Sequence, residues 1–256
     1  MEFNTIKIQL GESIVWIDLN RPEVRNALND VMIRELTEAF DWLNSRSDVR
    51  VVVVRGIGKC FCAGADLEYM RAMVHYSYDQ NLEDAQRLSK LFQTIHFCSK
   101  AVIVEVHGAC IGGANGIVAA ADVVIAEQTT KFAFTEVRLG LTPATISPFV
   151  VAKIGNAAAR ELMLTGRRFT ADEAKSFGLV NVVVDEGGLL EAERQYVDHF
   201  LHASPDAVAE CKHLLRLESG TADPYNPLYL QTSQLIANQR VSKAGQEGMK
   251  AFFAHK

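Results

Sequence analysis

The chain predicts an α/β fold: a largely parallel sheet covered by helices to about residue 200, then a helical module over 201–256. Three observations carry this. The continuous apolar run Val51–Val54 fits a strand covered on both faces, and Ala101–Val106 reads as the next buried strand. Helix-period apolar stripes lie between the strand-like runs. From Ser204 onward the pattern is almost wholly helical, broken only between Gly220 and Pro227.

The elements follow in order. Ile6–Gln9 and Ile14–Leu19 are rich in β-branched residues, and Gly11-Glu12 supplies the turn between them. Met32, Leu36, Ala39 and Leu43 make one helical stripe, and Leu88, Leu91, Phe92 and Ile95 another. Val123–Ala126 is a further short strand. Strand, helix, strand in repetition implies right-handed crossovers within one parallel sheet. Thr170-Ala171-Asp172-Glu173 has the form of a capping box. Ser204-Pro205 sets a capping serine before a proline at the first helical position.

Composition narrows the function classes. With 48% hydrophobic and 22% charged residues, the 256-residue chain is globular rather than disordered. A net charge of −5 and the lack of a dense basic stripe argue against nucleic-acid binding. No apolar run is long enough to span a bilayer, and Met1-Glu2-Phe3-Asn4 does not open a signal peptide. The expected location is the cytoplasm, with no membrane partner. Cys60, Cys62, Cys98, Cys110 and Cys211 show no C-x-x-C pair, so buried thiols are expected rather than a metal site.

Two small-residue segments each follow a strand: Phe61-Cys62-Ala63-Gly64-Ala65-Asp66-Leu67, and His107-Gly108-Ala109-Cys110-Ile111-Gly112-Gly113-Ala114. Small residues let a ligand oxygen approach main-chain N–H groups, and two such turns face to face could hold an oxyanion. Close packing of strand on helix would equally use them. Glu136, between Phe134 and Val137, is a carboxylate whose pKa apolar neighbours would raise. The stripe Tyr69, Met70, Met73 and Val74 after Asp66 suits either an acyl pocket or an ordinary core. His75 and His107 lack a nearby nucleophile or acid and are read as structural.

These segments occur in order with Asn20-Arg21-Pro22, Asn26-Ala27-Leu28, Phe134 to Gly140, Leu164-Thr165-Gly166 and Ala174 to Val180. Together they resemble the enoyl-CoA hydratase/isomerase (crotonase) superfamily over essentially the whole chain. The resemblance implies a spiral of ββα turns followed by a helical trimerisation module, and a homotrimer or hexamer. It implies an acyl-CoA thioester substrate with no metal and no separate cofactor, coenzyme A entering as part of the substrate. The N–H groups of Ala65 and Gly113 would form the oxyanion hole, and Glu136 would carry the proton. Val24, Arg25, Ala27, Ala63, Asp66, Leu67, Tyr69, Met70 and Gly112 would line the CoA and acyl sites. The last helix, in relatives, docks on a neighbouring subunit, which makes Lys250 and Lys256 phosphate-contact candidates.

The second glutamate of the hydratase pattern should stand three residues after Gly113, where this chain has Gly116. One acid suffices to shuttle a proton along an allyl system, as an isomerase does. The run from Glu136 to Pro148, however, is similar to the bacterial methylglutaconyl-CoA hydratase branch. The expected reaction is therefore reversible hydration of a branched or carboxylated 2-enoyl-CoA, with enoyl-CoA isomerisation as the rival and noncatalytic acyl-CoA binding as a third reading. Asn115 could hold a water, and Thr145 and Ser147 could bind a distal carboxylate or simply cap helices.

Overall fold

The computed structural model describes residues 3–254. Its strands are β1 (Ile6–Leu10), β2 (Ile14–Leu19), β3 (Val51–Gly56), β4 (Ala101–Val106), β5 (Ala109–Ile111), β6 (Val123–Glu127), β7 (Lys131–Ala133), β8 (Arg168–Thr170) and β9 (Val182–Val184). Its helices are α1 (Asp30–Asn44), α2 (Leu67–Met73), α3 (Tyr78–His96), α4 (Ala114–Ala120), α5 (Ser147–Thr165), α6 (Ala171–Ser176), α7 (Leu189–His202), α8 (Pro205–Glu218), α9 (Pro227–Val241) and α10 (Lys243–Ala254).

Six strands form one sheet in the order β1-β2-β3-β4-β6-β9, parallel except for the β1/β2 hairpin. The segments 51–54 and 101–106 lie in its central strands and are buried on both faces, Glu105 being the one charged residue among them. One face packs on α1, α3, α4 and α5 through Leu36, Phe40, Phe92, Val104 and Phe149, among others. The opposite face is closed by α7 through Val53, Ile103, Ile125 and Val197. A second sheet, β5-β7-β8, stands beside the first. Its three-residue strands are too short to show a period, and the sequence pattern gave no sign of them.

Both expected caps form. Thr170 accepts from the Glu173 amide while Glu173 accepts from the Thr170 amide, and Ser204 accepts from Ala207. The division expected at residue 200 falls inside α7, two residues before its end at His202. The helices beyond it are bound to the sheet layers: Tyr229 of α9 stacks on Phe149 of α5, and Lys212 of α8 pairs with Asp122 at 2.6 Å. Of the five thiols, four are buried, whereas Cys211 is exposed on α8. Among the described residues no helix is long and apolar enough to cross a membrane.

Candidate active site

The two small-residue turns lie against one another. Cys62 and Cys110 pair in a parallel bridge, and Gly64 sits so close to Ile111 that a Cβ there would come within 2.8 Å of its carbonyl oxygen. Gly64 also has φ +96°, a conformation glycine alone adopts without strain. A second bridge pairs Leu28 with Ala65: the Leu28 amide donates to Gly64 O and the Asp66 amide to Leu28 O. In a parallel bridge the central residue turns its own N–H away from its partner. Ala65 is exposed, Gly113 is half-buried, and among the described residues neither N–H donates to a protein acceptor. Both donors are thus open to a ligand.

Glu136 arrives beside them. β5 and β7 are parallel neighbours, with Ile111 opposite Ala133, so the turn after β5 and the turn after β7 emerge side by side. The Gly112 amide donates to Ala133 O at 2.8 Å. A Cβ on Gly112 would lie 3.2 Å from Glu136 Oε1, which places the carboxyl directly against the Gly112–Gly113 turn. Glu136 opens a short 3-10 turn that ends at Gly140, φ +70°. The residue is only half-buried, but its Oε2 is sealed from solvent and has no hydrogen-bond partner. Burial raises its pKa to about 7, and its own backbone amide pulls weakly the other way.

The remaining expected residues divide by role. Val24 and Arg25 are exposed, and Ala63 donates to Arg25 O, so 24–27 and 63 form one rim of the opening. Ala27 is buried beneath that rim, and Leu67 is half-buried at the start of α2. Asp66 is not free for a ligand: it caps α2 at Glu68 and Tyr69 and pairs with Arg21 at 2.7 Å. Met70 is buried, while the Tyr69 hydroxyl donates to Asp84. Asn115 does not hold a water. It is fully buried, and its Nδ2 donates to Cys110 O, Gly112 O and Ala133 O, bracing the turn itself. Ser147, the first residue of α5, does not cap the helix; its hydroxyl donates to Ala144 O. His75 is exposed, and the His107 ring bonds the Gly58 carbonyl.

Known proteins place this arrangement. The family model for enoyl-CoA hydratase/isomerase matches residues 9–256. The chain belongs to the enoyl-CoA hydratase/isomerase family. It is 34% identical to an enoyl-CoA hydratase of Alternaria alternata over 82% of this chain and 69% of that one. It is 36% identical to the mouse mitochondrial Δ(3,5)-Δ(2,4)-dienoyl-CoA isomerase, over 87% of this chain and 74% of that one. The crystal structure of an enoyl-CoA hydratase from Shewanella pealeana superposes with TM-score 0.83 at 35% identity, covering 100% of this chain and 95% of that one.

This enoyl-CoA hydratase/isomerase family enzyme has Gly116 where the resemblance places a second glutamate, and the structure leaves no room there for a side chain. Gly116 is buried in α4, and a Cβ there would lie 2.4–2.7 Å from three carbons of the Phe92 ring. Phe92, read from sequence as one member of a core stripe, fills the space that a side chain at 116 would need. Within the chain, α10 packs on the Glu136–Leu139 turn, with Gly248 against the Leu139 carbonyl. Lys250 is exposed on α10, and Lys256 lies outside the described residues.

Proposed function

We propose that the enzyme adds water reversibly to a 2-enoyl-CoA thioester with a branched or carboxylated acyl chain, 3-methylglutaconyl-CoA being the best single candidate. The observation that carries this reading is one sealed carboxyl, with its pKa near neutrality, beside two unpartnered backbone donors. The Ala65 and Gly113 N–H groups donate to the thioester oxygen as negative charge moves onto it, where fixed dipoles act without reorganisation. Glu136, as carboxylate, takes a proton from water while the water oxygen bonds to C3. The displaced π electrons form the enolate. Glu136 then returns the proton to C2, which regenerates the carboxylate and places H and OH on the same face. Val24, Arg25, Ala27, Ala63 and Leu67 hold the CoA portion, with Asp66 shaping the rim through Arg21, and Met70 and Gly112 adjoin the acyl end. Thr142 and Thr145 follow the Glu136 turn and make no side-chain hydrogen bond among the described residues, which leaves two hydroxyls for a polar acyl terminus.

The closed position at Gly116 favours a second reading, isomerisation of a 3-enoyl-CoA, because one carboxyl moves a proton from C2 to C4 without water. Carboxylated, branched and straight-chain enoyl-CoA thioesters, assayed in deuterated and H₂¹⁸O water, separate the two. Hydration predicts ¹⁸O in the product of the carboxylated or branched substrate. A shifted double bond without oxygen incorporation would establish the isomerase instead. Glu136→Gln should lower kcat about 10²–10⁴-fold, the usual range for a general acid–base group. Because the reaction starts from the carboxylate, kcat/KM should rise through about pH 7 and then level. Unchanged turnover in Glu136→Gln would end both readings.

A further inference from the structure

Outside the proton-transfer site, one buried polar network joins three helices through a single carboxylate. Asp84 of α3 is 2% exposed. Its Oδ1 accepts from the Tyr69 hydroxyl of α2, and its Oδ2 accepts from Arg240 Nη1 of α9 at 2.6 Å, with Arg240 also buried. Arg87 lies further off, 3.8 Å from Oδ1. Two more ties run from α2 to the C-terminal helices. Gln246 of α10 donates to the Val74 carbonyl at the end of α2 and to the Arg240 carbonyl. The Arg71 guanidinium stands 5.4 Å over the Phe253 ring.

The same helices brace the other half of the site. Gly140 and Gly248 let α10 approach the Glu136 turn so closely that a Cβ on either would come within 2.6 Å of a carbonyl oxygen, at Ala244 and Leu139 respectively. Leu139, Leu141, Met249 and Ile236 close that contact with apolar packing. So α9 and α10 touch both α2, which begins two residues after Ala65, and the turn that presents Glu136. The relative placement of amide and carboxyl is fixed through this strap as well as through the sheets.

We propose that Asp84 is a positioning residue for proton transfer. By holding Tyr69 and Arg240 together it fixes α2, and with it the Ala65 amide, against the helices that carry the Glu136 turn. This rests on the assignment of Ala65 and Glu136 to the reaction above. A buried carboxylate pairing with an arginine and a phenol costs desolvation that an apolar trio would avoid, so its use here is a matter of geometry. Tyr69, expected from sequence to touch the acyl chain, is assigned to the latch through its hydroxyl.

The sharpest variant is Tyr69→Phe, which cuts the tie from α2 to Asp84 and leaves the Asp84–Arg240 pair intact. Catalysis needs near-attack geometry, and small misplacements far from the chemistry cost up to about 10²-fold. The expected result is a fall in kcat of roughly 5- to 30-fold with KM changed less than about threefold. Amide exchange over 67–73 should accelerate at least about tenfold while the melting temperature moves little. Asp84→Asn should match it in kcat, and Tyr69→Phe/Asp84→Asn should equal the single variants rather than multiply them. If Asp84→Asn fails to fold, Tyr69→Phe with Gln246→Ala replaces it, and the pair should exceed either alone in exchange rate. Wild-type exchange over 67–73 in Tyr69→Phe overturns the latch. Fast exchange with a multiplicative kinetic loss overturns the shared role of Asp84 and makes Tyr69 a substrate contact. A wild-type enzyme inert toward every thioester defeats the functional reading, while the exchange data still decide the latch.

Discussion

Gly116→Ala tests the steric basis of the one-acid site directly. The added methyl would meet Phe92 Cζ at 2.4 Å, Cε1 at 2.6 Å and Cε2 at 2.7 Å, where ordinary carbon contacts run about 3.5–4.0 Å. Roughly 1 Å of movement is needed, and the ring has nowhere to go. Phe92 is fully buried, edge-on to Phe149 at 6.0 Å, and Phe149 is itself backed by His96 and Tyr229. Overpacking of this kind costs about 1–3 kcal/mol. Replacing a helical glycine by alanine returns about 1 kcal/mol, so the net loss is about 1–2 kcal/mol at the upper end of the range. For a chain of this length each kcal/mol lowers Tm by about 2–4 °C, giving a fall of about 2–8 °C by calorimetry. Phe92→Leu combined with Gly116→Ala should restore about 1 kcal/mol relative to additivity, since the two side chains compete for one volume. A Tm that rises in Gly116→Ala, with additive behaviour in the pair, would refute the reasoning. Gly116→Glu should then fail more severely, so the second acid of the family pattern cannot be regained by one substitution.

Stability should depend on pH through Glu105. This carboxyl of β4 is 5% exposed and faces Glu193 of α7, with Glu105 Oε1 and Glu193 Oε2 both sealed without partners. Burial first, and then Glu193, raise its pKa to about 8, against the opposing pull of Arg55. The native state therefore keeps a proton that the unfolded chain releases near pH 4.5, so stability is full below that pH and declines as pH rises through about 8. Urea midpoints at pH 5 and 8.5 should converge in Glu105→Gln relative to wild type; parallel shifts would dismiss the assignment. Assembly is the remaining prediction. Leu214, Leu215 and Leu217 of α8 and Leu228, Leu230 and Leu235 of α9 are exposed, an apolar area suited to a second copy, and we read 201–256 as the oligomerisation module. Light scattering should give three or six times the chain mass, and a monomer at micromolar concentration would exclude it.

How far the sequence led depended on how local each signal was. Val51–Val54 and Ala101–Val106 were legible because a parallel strand buried on both faces is almost wholly apolar, Glu105 being the one exception here. Thr170 and Ser204 were legible because capping is settled within four residues. Glu136 has no local signal, and its neighbours would suit a surface turn equally well; family resemblance singled it out, and the sealed Oε2 supplies the physical reason. Three features stayed hidden because their partners are distant in sequence. Phe92 meets Gly116 across two helices. Asp84 gathers a tyrosine and an arginine from two others. Asn26, buried in a left-handed turn, holds the carbonyls of Ile57 and Cys60. Asn115 was misjudged for the same reason: a polar residue after a glycine pair suggests a ligand, until its amide is found filled by three carbonyls.

The small sheet explains why so little of the chain has to be chemically special. Parallel strands end on the same side, so β5 and β7 deliver their following turns to one place. Only the register Ile111 opposite Ala133 then sets where Gly113 and Glu136 stand relative to each other. Slipping it by one residue would move the carboxyl about 3.3 Å along the strand and reverse the faces of the strand side chains. Asn115 guards against that slip, because its amide bonds Ala133 O on one strand's end and Cys110 O and Gly112 O on the other. A short ladder of three residues per strand has little register preference of its own, so the side chain locks what the strands cannot. The site can therefore consist of two backbone amides and one glutamate, with the specificity of their meeting held in a residue that never needs to touch substrate.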